Sequence, residues 1–174
     1  MKKMEEERDL PNQQYEFEHQ GGNIFSFETL HQIIYLVKFK PTVYLFGEDS
    51  IFAPHSFELI IEVAENLTGK NPPSDPKIPP TIAAIFTDFY ENAADTITIY
   101  ICDSSDDRQM TRQRKFDRWF EYFKGAFFVK IDTHFKESDG TQYPVSLIIK
   151  ESNPFRTQIF DEFLNVVSGY NAGK

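Results

Sequence analysis

The residues with the most chemistry to offer fall in one run, Cys102-Asp-Ser-Ser-Asp-Asp-Arg-Gln-Met-Thr-Arg-Gln-Arg-Lys-Phe-Asp-Arg-Trp-Phe120. A thiol just before a helix start is placed to ionise and attack. Three carboxylates, Asp103, Asp106 and Asp107, offer hard oxygen ligands to a divalent cation. Arg108, Arg112 and Arg114 offer the planar donor forks that grip carboxylates and phosphates. Each of these has a plainer alternative. Counted from Asp103, a calcium loop needs glycine at its sixth position and an acid at its twelfth, where this chain has Arg108 and Arg114. Ser104, Ser105, Asp106 and Asp107 therefore read as the N-cap and dipole-favoured first-turn residues of the next helix. Cys102 has no partner base at a recognisable spacing, and a lone cysteine at a strand end is usually a small buried apolar residue. His19, His31, His55 and His134 are scattered without the spacing of a zinc site. No phosphate-cradling glycine loop is present. The expectation is no catalytic residue, no cofactor and no metal. The candidate binding residues are Asp103, Asp106, Asp107, Arg108, Arg112 and Arg114, with Arg112 expected to clamp Asp103 or Asp106.

Two elements must position this run. Ile97, Ile99 and Ile101 alternate as in a strand, and Phe116, Trp119, Phe120 and Phe123 then follow i, i+3, i+4, i+7 as in a helix. The three isoleucines are expected to face the core between the helices on either side of them. Upstream, Tyr15-Glu-Phe-Glu and Ile24-Phe-Ser-Phe flank Gly21-Gly22 as a hairpin. Residues 32–40 read as a third strand ending at Pro41, and Thr42-Val-Tyr-Leu-Phe as a further extended stretch. Residues 56–65 fit both a strand and a helical stripe, with strand favoured. Gly69 to Pro80 holds five prolines and reads as a crossover loop, although a polyproline ligand has the same composition. Thr81, Ile82, Ile85, Phe86, Phe89 and Tyr90 make an amphipathic helix with prolines at its start. Residues 127–135 and 144–150 form strands joined across Asp139-Gly140. Asn153 and Pro154 then open a helix that Gly169 is expected to close. The fold class is α+β: a mostly antiparallel sheet covered by about three helices. A charged lead-in spans 1–12, a single domain 13–168 and a tail 169–174.

Bulk properties narrow the functions. The chain has 174 residues, a net charge of -9, and 16% aromatic residues including 18 Phe, enough to bury a core without staples. The acidic field disfavours nucleic acid and anionic membranes. Charge is segregated, however: residues 108–118 carry five cations against Asp117 alone. The single cysteine and the charged opening residues, which lack a signal peptide's apolar stretch, fit a cytoplasmic protein. No segment is apolar over the roughly 18 residues a membrane span needs.

The stretch Ile101-Cys-Asp-Ser-Ser-Asp-Asp-Arg-Gln, with Arg112 or Arg114, Phe116 and Trp119-Phe120 after it, resembles the hallmark of an uncharacterised family of small bacterial proteins. The Thr81-Ile82 helix and the opening Tyr-x-Phe hairpin are similar too, so the resemblance runs from about residue 13 to 165. It implies a bacterial cytoplasmic protein with no activity, cofactor or catalytic residue to carry over. The residues favour a non-enzymatic binding or interaction module whose Asp103–Arg118 surface meets a protein or a small acidic ligand. The alternative is an enzyme of unknown reaction built on Cys102, Asp103, Asp106, Arg108 and Arg112; nucleic-acid binding comes third. The sequence leaves the oligomeric state open.

Overall fold

The computed structural model describes residues 13–91, 93–102 and 107–174. Its centre is a seven-stranded sheet in the order β1-β2-β3-β4-β5-β7-β6. Strands β1 (Phe17–Gly21), β2 (Ile24–Glu28), β3 (Ile33–Pro41) and β4 (Ser56–Asn66) form an antiparallel meander. The chain then crosses through helix α2 (Ile78–Glu91) to β5 (Ile97–Ile101), which lies parallel to β4. Helix α3 (Gln109–Phe123) leads into the hairpin β6 (Phe128–Lys136) and β7 (Gln142–Lys150), and β7 inserts antiparallel between β5 and β6. Helix α4 (Arg156–Ala172) ends the fold. The ambiguous stretch 56–65 is strand, and Gly140 turns the last hairpin at φ +88°, where only glycine is unstrained.

Helices cover both faces. On one, α2 and α3 bury Ile82, Ile85, Phe89 and Phe116 against Phe25, Val37, Phe39 and Leu59. On the other, α4 lays Ile159, Phe163 and Val167 on Ile97, Ile99, Val145 and Leu147. The Tyr90 hydroxyl pins α2 to the sheet, donating to Thr98 Oγ1 or the Ile148 carbonyl, each 2.8 Å away.

Four expectations change. The described residues hold four helices rather than about three and one extended stretch fewer, because Val43–Phe46 is not extended but a short helical turn, α1. After Pro41 the chain must turn to bring Phe46 beside Phe52 in the α4 core, which an extended strand cannot do. Ile97 and Ile99 face α4, not the space between α2 and α3, because Thr98 and Tyr100 occupy that side. The N-cap of α3 is Arg108, without a side-chain cap bond, and Asp107 sits at φ +56° just before it. Ser104, Ser105 and Asp106 lie outside the described residues. Finally, α4 runs through Gly169 to Ala172; Asn153 Oδ1 accepts from the Phe155 amide at 2.9 Å in the turn before it.

Candidate functional site

The parallel pairing of β4 and β5 lasts three residues, Ser56↔Ile97, Phe57↔Thr98 and Glu58↔Ile99. From Leu59 onward β4 has no registered partner on its β5 side among the described residues, while β5 stays paired to β7 as far as Ile101. The two strands part toward their C-terminal ends. In open sheets with parallel strands, that is where ligands settle. A groove of about 430 Å³ lies there, within the usual range for small-ligand sites.

Each wall has a local cause. Ile61 of β4 and Tyr35 of β3 share the α2 side of the sheet by strand alternation and form one wall. The proline-rich loop supplies Pro72, Pro73, Asp75 and Pro76 as the rim. That loop is fixed from outside: the Tyr15 hydroxyl donates to Asp75 Oδ2 at 2.6 Å, the Lys77 amide donates to Asp75 Oδ1 at 2.9 Å, and the Tyr15 amide donates to Thr81 Oγ1 at 2.8 Å. Tyr100 closes the end of β5, its ring stacked on Phe116 at 4.1 Å between centroids. Because Phe116 is buried, helical spacing turns Arg112, Lys115 and Trp119 into the groove. The Lys115 ammonium lies 4.9 Å from the Trp119 ring centroid, and among the described residues it has no carboxylate within ion-pair distance.

Beneath the N-terminal half of α3 the sheet carries polar groups on its inner side. Cys102 is 2% exposed, and its sulfur accepts from the Tyr100 hydroxyl. Burial pushes the thiol up to about 11, with Asp117 and Asp132 adding to the rise and the Tyr100 bond and Arg112 opposing it. Burial also pushes the Tyr100 phenol upward, with Cys102 reinforcing the shift. Lys130, whose side chain is 6% exposed, reaches Asp117 Oδ1 at 2.7 Å and also pairs with Asp132, which accepts from Ser146 Oγ at 2.6 Å. Burial alone would lower this ammonium's pKa; bonds to the two carboxylates outweigh that and raise it.

Of the candidate residues, Arg112 lines the groove. Arg114 is exposed and donates from Nε to the Met110 carbonyl at 3.2 Å, away from the groove. Asp107 and Arg108 are exposed at the helix start. Asp103 and Asp106, and with them the expected Arg112 clamp, lie outside the described residues. Cys102 occupies a position expected of a buried small residue. Among the described residues no group of three or more His, Cys, Asp or Glu is placed to hold a metal ion, and no helix is long and apolar enough to cross a membrane. Sequence reasoning missed Tyr35, Ile61, Asp75 and Tyr100 as groove residues. It also missed Lys130 and Asp132, although their placement on the same side of β6 as Phe128 was a readable signal of charge turned inward.

Fold and site together define an α+β domain, sheathed by helices on both faces, with a polar-rimmed groove where its two parallel strands separate. The chain belongs to a family of unknown function (DUF6169), whose model matches residues 74–165, from the groove rim through most of α4. No curated protein and no solved structure matches it.

Proposed function

We propose that this is a ligand-binding domain whose groove takes a small, extended, acidic ligand, with α3 as the recognition element. The observation that carries this reading is the three-residue limit of the β4–β5 register. Beyond Glu58 the main chain of β4 has no registered partner on its β5 side among the described residues, and such groups demand partners. An extended ligand carrying amides satisfies them as an added strand does, while Lys115 neutralises its acidic end. Trp119 and Tyr100 supply flat apolar surface between the two.

The probe is the peptide acetyl-Gly-Gly-Glu, titrated into labelled protein and followed by amide and indole NMR shifts. Shifts should concentrate at Ile61, Tyr100, Lys115 and the Trp119 indole, and Lys115→Glu should weaken binding at least about fivefold. Shifts scattered over the surface, or unaffected by Lys115→Glu, would refute the reading.

A second reading, an enzyme acting on the same ligand, is favoured by Tyr100. Its phenol lines the groove, and its hydroxyl, bonded to the Cys102 sulfur, would turn from that sulfur to donate a proton to a bound group. On this reading Tyr100→Phe keeps the affinity for a true substrate and loses its turnover; equal turnover in both would exclude that role.

A further inference from the structure

A second, narrower opening continues from the groove. Between α2 and α3 a crevice of about 60 Å³ runs down to the sheet, sharing Pro79, Ile82, Phe116 and Trp119 with the groove. Beyond those shared residues its walls are mostly hydrocarbon, from Leu59, Ala83, Phe86, Phe120, Phe123, Phe128 and Ile148, and its one charged residue, Lys124, is paired with Glu121. The one hydroxyl at its edge, Thr87, already donates to the Ala83 carbonyl at 3.0 Å.

Resting on the binding role proposed above, we infer that the crevice is a subsite for a hydrocarbon group, and that the natural ligand is an amphiphilic anion bearing a short acyl chain. Three observations converge on this occupant. The crevice is contiguous with a groove that Lys115 lines from the same helix, so one molecule reaches both the apolar and the cationic surface. Its volume has room for roughly four to six groups the size of water or methylene. A peptide main chain is a poor occupant, because its amides would find no partners on these walls and would stay desolvated. The acyl chain therefore enters between the helices while the polar, acidic part remains along β4.

The test compares acetyl-Gly-Gly-Glu with octanoyl-Gly-Gly-Glu by calorimetric titration. Octanoyl should bind at least about tenfold tighter, as expected for hydrocarbon leaving water. Ala83→Phe fills the crevice and should remove this gain while leaving the affinity for the acetyl peptide within about twofold. Thr87→Trp, at the exposed edge, provides the same obstruction if Ala83→Phe does not fold. If the acetyl peptide binds and octanoyl gains nothing, the groove reading stands and the acyl subsite falls. A gain that survives both substitutions places the chain elsewhere and also overturns the subsite. If neither peptide binds, both readings fall.

Discussion

Cys102 should be almost inert in the folded protein. Its thiol is 2% exposed and raised from 9.0 to about 11, chiefly by burial. At about pH 8 that rise alone cuts the thiolate population roughly a hundredfold, and only the thiolate reacts with alkylating agents. Restricted access slows the reaction further. Iodoacetamide labelling followed by mass spectrometry, with and without denaturing urea, measures the ratio directly. Native labelling should be at least about a hundredfold slower and should follow the unfolded fraction as urea is added. The same shift has a stability signature. The fold prefers the protonated thiol, so Cys102 stabilises fully below the unfolded pKa near 9, and this contribution is lost as pH rises toward 11. At most it amounts to about 3 kcal/mol. Cys102→Ala should therefore lose less stability than wild type over that alkaline range. Native labelling within about tenfold of the unfolded rate would refute the assignment, return Cys102 to the list of candidate nucleophiles, and strengthen the enzyme reading.

Tyr90→Phe removes a fully buried hydroxyl that serves Thr98 and the Ile148 carbonyl, and should cost about 1–3 kcal/mol in urea denaturation. Adding Thr98→Val should cost less than the sum of the single changes, since no orphaned hydroxyl then remains. Phe116→Ala opens the core beneath α3 and breaks the stack on Tyr100, for a loss of about 3–5 kcal/mol. Lys130→Met should cost about 1–3 kcal/mol, moderated by the partial exposure of Asp117 and Asp132. Because the Lys130 pKa is raised, its pairing stabilises below the unfolded value near 10.4 and is lost as pH climbs through the higher folded value. The wild-type advantage over Lys130→Met should accordingly shrink above about pH 10, measured by thermal melts across pH.

Local signals were readable, and pairwise ones were not. Gly21-Gly22 and Asp139-Gly140 announced their hairpins because left-handed backbone positions select glycine wherever the partner strands lie. Ile97, Ile99 and Ile101 were legible as a buried strand, but alternation cannot say which helix covers which side. That was decided by α4, more than fifty residues away. The turn at Val43–Phe46 went unread because its cause is the burial of Phe46 against Phe52 and the α4 core. The arginine helix was recognised with its buried Phe116 and its Arg112 face, whereas the groove it borders depends on two strands separating. No single segment encodes such a separation. The proline stretch is a crossover loop only as far as Lys77, with Pro79 and Pro80 already in the first turn of α2, and its role as a rim depends on Tyr15, some sixty residues upstream.

The short register between β4 and β5 also divides the sheet mechanically. Strands β1 to β4 form one panel and β5 to β7 another, each stitched by its own antiparallel ladders, and among the described residues three residue pairs make the seam. Helix α2 is the hinge plate across it, bolted to one panel through Phe39 on Phe89 and to the other through Tyr90. Slow amide exchange should persist longest inside each panel and fail first at Phe57 and Thr98 along the seam. A molecule lodged in the opening would act as a fourth stitch, so occupancy of the groove and stiffness of the whole sheet are one variable measured in two ways.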